Sequence, residues 1–132
     1  MRKLFASALI IAAVCLAGTA QDNSSSQSRQ ELSKLARAPE QVDGIGRAVV
    51  FVTDEAGNPV KGAYATLEST WGGDHYCESF GSTDSDGAIA LLPIHMGALR
   101  LVVKAKGYQT SKLPVSLNSL SEPLRVTLSH KS

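Results

Sequence analysis

The chain has 132 residues, of which 43% are hydrophobic, 19% charged and only 5% aromatic. This length fits one domain. Lys plus Arg (13) nearly balances Asp plus Glu (12), so the sequence lacks the basic excess that nucleic acid or an anionic membrane would attract. The low aromatic content also disfavours a base-stacking surface. The composition therefore excludes nucleic-acid binding and leaves enzymes and interaction modules to be separated by motifs.

Residues 1–20 have the pattern of a secretory signal peptide. Arg2 and Lys3 form a basic start, an apolar run follows, and small residues precede a cleavage position near Ala20. The apolar run is shorter than a membrane-spanning helix requires. We therefore predict a secreted or periplasmic protein with no transmembrane segment in the mature chain.

Two cysteines occur in the sequence, and one of them falls inside the predicted signal peptide. A lipoprotein acylated at Cys15 is the alternative to simple secretion, but Val14 stands where such signals carry a small residue. After cleavage only Cys77 remains, so the mature chain cannot form an intramolecular disulfide. We expect Cys77 to pack as a small hydrophobic residue.

Residues 21–43 are predicted to be a flexible tether. The segment begins with Ser, Gln and Asn and has little apolar surface to bury. Within it, residues 28–38 can form a short helix that Pro39 would end. The segment would serve as a spacer that holds the following domain away from a surface.

Residues 44–130 are predicted to form an all-β domain. The clearest strand is 99–105, where Leu99, Leu101 and Val103 lie on one face and Arg100 and Lys104 on the other. Short apolar runs separated by turn residues every 8–12 positions are typical of a β-sandwich. The seven predicted strands are 47–53, 63–69, 79–83, 88–92, 99–105, 110–117 and 124–128.

The turns between these strands carry residues with special backbone properties. Gly permits positive φ, Pro sets its own φ, and Asp bonds to nearby backbone groups. Tyr108 follows a glycine and is expected to turn a corner with its ring packed inward. The residues assigned to these structural turns are Gly57, Pro59, Gly62, Asp84, Asp86, Gly87, Gly107 and Tyr108.

Three motifs in this region resemble a known family. They are V-x-D-x-x-G-x-P-V-x-G-A at 52–63, T-D-x-D-G at 83–87 and A-x-G-Y at 105–108. With the strands around them, they resemble the carboxypeptidase regulatory-like domain over nearly all of 46–130. The resemblance implies a seven-stranded, prealbumin-like (Ig-like) β-sandwich of the transthyretin-like superfamily. It implies no activity, because such domains accompany many unrelated partners.

No metal or cofactor site is predicted. The turn at 84–87 contains part of a calcium-loop pattern, but Ser82 and Pro93 stand where the first and twelfth ligands of an EF-hand would be acidic. Turn chemistry explains the same residues. The histidines are scattered without ligand-like spacing, at His75, His95 and His130.

No catalytic residue is predicted either. The related hydroxyisourate hydrolases end in Tyr-Arg-Gly-Ser, whereas this chain ends Ser-His-Lys-Ser at 129–132. Intradiol dioxygenases bind iron with two Tyr and two His, and the spacing here is not recognisable as theirs. A small extracytoplasmic enzyme of the transthyretin-like class remains the alternative to a binding function.

The candidate binding segment is 71–76, predicted to be a loop. It contains the only Trp, two glycines and a carboxylate beside an imidazole, which is the composition of a contact loop on a rigid scaffold. Its candidate residues are Trp71, Asp74, His75 and Tyr76. We predict a non-catalytic adhesion or interaction module for an unknown protein or carbohydrate of the cell envelope. The other alternative is a structural stabiliser of an envelope complex.

Overall fold

The structure, a computed structural model, describes residues 27–41 and 44–132. The predicted signal peptide, its cleavage position near Ala20 and the alternative anchor Cys15 lie outside these residues. The described part is mostly β, with several sheets and a short α-helix at 27–33. Its strands are β1 (Ile45–Gly46), β2 (Val49–Asp54), β3 (Tyr64–Trp71), β4 (His75–Ser82), β5 (Ala88–Ala90), β6 (Ile94–His95), β7 (Ala98–Lys104), β8 (Ser111–Val115) and β9 (Leu124–Leu128). A 3₁₀ helix, Leu117–Ser121, precedes β9.

The strands form two larger sheets and a two-stranded ribbon. The four-stranded sheet has the order β4-β3-β7-β8 and is antiparallel throughout. The three-stranded sheet has the order β5-β2-β9, in which β2 and β9 run parallel. The ribbon pairs β1 with β6. Since β2 and β9 lie at opposite ends of the domain sequence, their pairing closes it into one unit.

The core lies between the two larger sheets. Side chains alternate across a strand, so every second residue of each strand points into the space between the sheets. From the three-stranded sheet these are Val50, Val52, Val126 and Leu128, and from the four-stranded sheet Ala65, Leu67, Leu101 and Val103, all buried in one cluster. Each larger aliphatic side chain buried there stabilises the fold by about 1.5–3 kcal/mol.

The seven predicted strands overlap the seven strands of the two larger sheets, whereas the two short strands of the ribbon, β1 and β6, were not predicted. β1 and β6 were missed because each has two residues, too few for a periodic pattern to appear. Both strands of the hairpin β3–β4 extend farther toward its closed end than predicted. The parallel β2–β9 pair also has no local signal, because it joins segments far apart in sequence.

The four glycines predicted in turns adopt left-handed backbone conformations, whereas Pro59 and Tyr108 form isolated β-bridges with Thr53 and His130. Gly57, Gly62, Gly87 and Gly107 have positive φ of 87°, 76°, 72° and 86°. The backbone N–H groups of Asn58 and Ala56 donate to Asp54 Oδ1, each at 2.9 Å. These bonds, Asn58 first, hold the pKa of the Asp54 carboxyl below its usual value.

The turn before β5 is the tightest of these. Asp84 Oδ1 accepts the N–H of Asp86 at 2.9 Å and that of Ala88 at 3.0 Å. Gly87 has positive φ, and a Cβ placed on it would lie 2.4 Å from the carbonyl oxygen of Val52. Only glycine fits here without displacing β2. At the opposite end, the predicted corner residue Tyr108 packs its ring against His130, with centroids 4.4 Å apart.

The segment at 27–41 is docked rather than free, which corrects the prediction of a tether with nothing to bury. The outer face of the three-stranded sheet is apolar, with Val49, Phe51 and Ala88 buried, and Leu32 and Ala36 pack against them. The physical reason lies in β2, whose unbroken apolar run is the pattern of a strand covered on both faces. A cover for its second face therefore has to come from elsewhere in the chain.

Polar contacts fasten this segment to the domain. The Arg29 guanidinium donates to the carbonyl oxygen of Asp86 at 3.1 Å and lies 5.8 Å from the Phe51 ring centroid. Arg37 and Arg47 exchange backbone N–H to C=O bonds of 3.0 and 2.9 Å.

Among residues 27–41 and 44–132, no helix has the length and apolarity to cross a membrane.

Candidate functional site

The predicted binding loop is the closed end of the β3–β4 hairpin. β3 continues to Trp71, which pairs directly with His75 at the start of β4. Only three residues turn the chain, and Gly72 and Gly73 take positive φ of 62° and 87°. Aromatic residues favour paired strands, so the ladder extends up to the glycines and the loop prediction was too long.

Trp71 contacts two imidazole rings. Its ring is stacked on His75 with centroids 5.5 Å apart and an interplanar angle of 19°. The His95 ring approaches it more closely, at 4.2 Å and 38°. Trp71 is half-buried. We call Trp71, His75 and His95 the tryptophan cluster.

His95 was not a predicted site residue, and tertiary contacts bring it to Trp71. The chain after β6 passes so close to β3 that a Cβ on Gly97 would lie 2.2 Å from the Thr70 carbonyl oxygen. The N–H of Gly97 donates to Ser69 Oγ at 2.7 Å. Cys77 Sγ donates to the His95 carbonyl oxygen at 3.5 Å, so the Cys77 side chain makes a structural contact. Gly97 was the only local sign of this approach.

The polar tip of the hairpin is open to solvent. Asp74 Oδ1 lies 3.2 Å from His75 Nδ1, and the two side chains are 87% and 63% exposed. An ion pair this exposed contributes little to stability and exists only when the imidazole is protonated. The tip can therefore offer both groups to a partner at low desolvation cost.

Tyr76 lies on the other face of the hairpin from the tryptophan cluster. Successive strand residues point to opposite faces, so Tyr76 projects outward from the four-stranded sheet while His75 projects toward Trp71. The predicted set of four is thus divided between two surfaces. On its own surface Tyr76 is 53% exposed, together with Tyr64 at 42% and Phe80 at 56%. We call Tyr64, Tyr76 and Phe80 the aromatic face.

The aromatic face carries polar groups in defined positions. The Tyr76 hydroxyl donates to Glu78 Oε2 at 2.5 Å, and this bond is the main cause that raises the pKa of Tyr76 to about 12. Glu68 Oε1 pairs with Arg100 Nε at 2.8 Å on the neighbouring strands. A shallow depression of about 260 Å³ lies beside them, lined by Glu68, Thr70, Tyr76, Ala98, Leu99 and Arg100.

The imidazoles of the tryptophan cluster have few polar partners among the described residues. In the part of the chain that the structure describes, no three His, Cys, Asp or Glu side chains converge as metal ligands would. The Nδ1 atom of His95 is buried without a hydrogen-bond partner there. No hydroxyl or thiol among the described residues bonds to either imidazole of the tryptophan cluster. The aromatic face combines apolar area with hydrogen-bonding groups, as contact surfaces do.

Comparison with known proteins adds no identity. No protein-family model matches the chain, and no similar curated protein was found.

Proposed function

We propose that this protein is a non-catalytic interaction module that binds a partner through the aromatic face. The observation that carries the proposal is the exposure of Tyr64, Tyr76 and Phe80 on one sheet face in a chain whose aromatic content is only 5%. Aromatic side chains supply large contact area at low entropy cost. The partner is a protein or a carbohydrate of the cell envelope, met after export to the periplasm or the exterior.

The fold proposal goes with it. Two sheets around one core, with positive φ at Gly57, Gly62, Gly87 and Gly107, support membership of the carboxypeptidase regulatory-like, prealbumin-type sandwiches. Each of these glycines belongs to a motif that suggested the family. On this proposal the scaffold is rigid and the binding residues are carried on strands rather than loops.

In this proposal Trp71 has a positioning role. Its indole contacts both His75 of the hairpin and His95 of β6, so it holds the hairpin end against the β1–β6 ribbon. Asp74 and His75 at the exposed tip extend the contact surface beyond the aromatic face. This assignment moves the main binding contribution from Trp71 to Tyr76 and Phe80.

An enzyme is the weaker candidate. Its best support is that His75 and His95 contact the same indole ring. A catalytic imidazole would need a nucleophile or a substrate proton within hydrogen-bond reach, whereas His75 pairs with exposed Asp74 and the Nδ1 atom of His95 faces buried surroundings. A structural stabiliser of an envelope complex would use the same aromatic face, with a permanent partner.

The test compares capture by three immobilised proteins incubated with an envelope extract and with a glycan array. They are the wild type, the double variant Tyr76→Ala/Phe80→Ala and the control Leu92→Ala, which removes an apolar side chain 72% exposed elsewhere. We expect the double variant to lose capture by roughly tenfold or more, a hot-spot-sized effect. Leu92→Ala should behave as wild type. Equal capture by all three at unchanged melting temperature would refute the proposal.

Trp71→Ala separates positioning from binding. Removing a half-buried indole should lower the free energy of unfolding by about 1–3 kcal/mol, measured by urea denaturation. Capture at a temperature where the variant is folded should fall less than for the double variant. A loss of capture larger than that of Tyr76→Ala/Phe80→Ala, with stability unchanged, would return Trp71 to the centre of the site.

A further inference from the structure

In the described part of the chain, the strand that carries Tyr76 and Phe80 is also a sheet edge with no strand paired beyond it. β4 lies at the end of the order β4-β3-β7-β8 and is eight residues long. Natural edge strands are commonly protected by charged side chains, especially lysine, by proline or by a bulge, and β4 has only Glu78 of these. The other edge of the same sheet follows this rule, because β8 contains Lys112 and Pro114. β4 contains neither residue type, and its ladder with β3 runs without interruption from Tyr64↔Ser82 to Trp71↔His75.

The unpaired backbone groups of β4 belong to the residues of the aromatic face. Thr83, directly after β4, donates its N–H to the Ala63 carbonyl at 2.9 Å, toward β3. Bonding direction alternates along an antiparallel strand, so the even-numbered residues direct N–H and C=O groups away from β3. In the part of the chain that the structure describes, no backbone bond outside the β3–β4 ladder involves the residues concerned, Tyr76, Glu78, Phe80 and Ser82.

Glu78, in the middle of these outward-directed residues of β4, is an acidic side chain without a basic partner among the described residues. Glu78 is exposed and accepts the Tyr76 hydroxyl through one oxygen, and it takes part in none of the ion pairs of the described residues. A strand that paired with β4 would place a side chain opposite it on the outer face. Opposite charges in such cross-strand pairs are favourable and like charges unfavourable.

One glutamate on this outer face already has a basic residue opposite it on the neighbouring strand. On the outer face of β3, Glu68 stands opposite Arg100 of β7, with Oε1 and Nε 2.8 Å apart. The flanking pairs are Thr66 with Val102 and Thr70 with Ala98. A basic residue with apolar residues two places before and after it therefore already pairs with a glutamate on this sheet. On the neighbouring strand β4, Glu78 has no basic residue opposite it among the described residues. The residues two places before and after Glu78, Tyr76 and Phe80, are larger than the flanking residues of Arg100.

We propose that the free edge of β4 binds an extended segment of a partner polypeptide by strand addition. The segment carries Lys or Arg opposite Glu78 and apolar residues opposite Tyr76 and Phe80. Backbone hydrogen bonds to the even-numbered residues provide affinity, and the alternate side chains provide selectivity. The inference rests on the proposed function, since it names the partner chemistry of the same face.

The experiment uses short end-blocked peptides of alternating threonine and valine, labelled for fluorescence anisotropy. One has arginine at its centre with valine two places away on each side, and the second has glutamate instead of arginine. A third is the arginine peptide N-methylated at the residues that face the edge. We expect the wild type to prefer the arginine peptide over the glutamate peptide by roughly threefold to tenfold, and not to bind the N-methylated peptide.

Variants of one residue test the selectivity. Glu78→Lys should reverse the preference and Glu78→Gln should remove it, each with an unchanged melting temperature because the side chain is exposed. Glu122→Lys, the same charge change at an exposed position remote from β4, should keep the wild-type preference. Equal binding of the two charged peptides by wild type, or binding of the N-methylated peptide, would overturn the proposal.

Two further outcomes are distinguishable. If the protein sediments as a dimer that Glu78→Lys dissociates, and binds no peptide, the edge is occupied by a second copy and the partner-strand proposal is wrong. If Tyr76→Ala/Phe80→Ala loses envelope capture while the arginine peptide does not bind, the inference fails and the proposed function stands. If the double variant keeps full capture, the proposed function fails, whatever the peptides do.

Discussion

The outer faces of the two larger sheets differ, because one is covered by another segment of the chain and the other is exposed. On the three-stranded sheet, Val49 and Phe51 are buried beneath Leu32 and Ala36 of the N-terminal segment. On the four-stranded sheet the outer face has no such cover among the described residues, and Phe80 is 56% exposed. We call these the covered face and the open face. Both carry a phenylalanine on a strand, but only Phe51 is buried under another segment.

The difference follows from the side chains around each ring. Around Phe51 the covered face has aliphatic neighbours and two guanidinium groups, from Arg29 and Arg125, lying 5.8 and 5.4 Å from the ring centroid. The open face instead has charged residues between its aromatic ones, such as the Glu68–Arg100 pair. A covering segment would have to desolvate those charges. The open face is therefore stable in water and available to a partner with matching polar groups.

The same substitution made on each face should give the sharpest contrast. Phe51→Ala removes a ring that is 7% exposed and should lower the free energy of unfolding by about 3–5 kcal/mol. Phe80→Ala should change it by about 0.5 kcal/mol or less. Urea denaturation of both variants measures the difference. Similar losses for the two variants would show that the open face also contributes packing.

Gly87→Val should destabilise the covered face through the turn that precedes β5. The turn that contains Gly87 also presents the Asp86 carbonyl that accepts from Arg29. A side chain there meets the Val52 carbonyl oxygen at 2.4 Å in addition to the strain of φ 72°, so we expect a loss of about 3 kcal/mol. Gly57→Val is the matched control, because its φ is 87° but no atom lies within 4 Å of the added Cβ. Its loss should be about 1 kcal/mol, and equal losses would refute the role of the close contact.

The smallest effect concerns ionisation on the open face. The Tyr76–Glu78 hydrogen bond raises the pKa of Tyr76 to about 12 from an ordinary value of 10.0. The neutral phenol is the favoured form in the folded state, so this bond's contribution is complete below the ordinary value and is lost as pH rises through about 12. Phenolate absorbance of wild type minus Tyr76→Phe isolates this titration. Glu78→Gln should move it toward lower pH, and a wild-type midpoint near the ordinary value would contradict the bond.

Much of the β architecture could be predicted from the sequence because its signals are local. The alternation of Leu99, Leu101 and Val103 placed β7 and its buried side correctly. The turn residues Gly57 and Gly87 were recognised because glycine takes positive φ without strain. Such patterns need only the neighbouring residues to be read.

The candidate site could be predicted only in part. Trp71, Asp74, His75 and Tyr76 were found by composition, but their division between two surfaces depends on the point at which the hairpin ladder ends. His95 was missed because its approach to Trp71 is a tertiary contact between β6 and the end of the hairpin, which no local pattern predicts. Alternation divides residues between two faces but does not say what lies against either face.

The sequence by itself determined that this chain forms short amphipathic strands joined by glycine and aspartate turns, since those preferences are properties of a few adjacent residues. Only the tertiary structure decided that the segment at 27–41 covers one sheet, that β2 and β9 run parallel, and that β4 ends a sheet with no strand beyond it among the described residues. Each of those outcomes is a choice of partner between distant segments. Partner choice depends on which apolar faces are left to bury once the strands exist, and no local pattern carries that information.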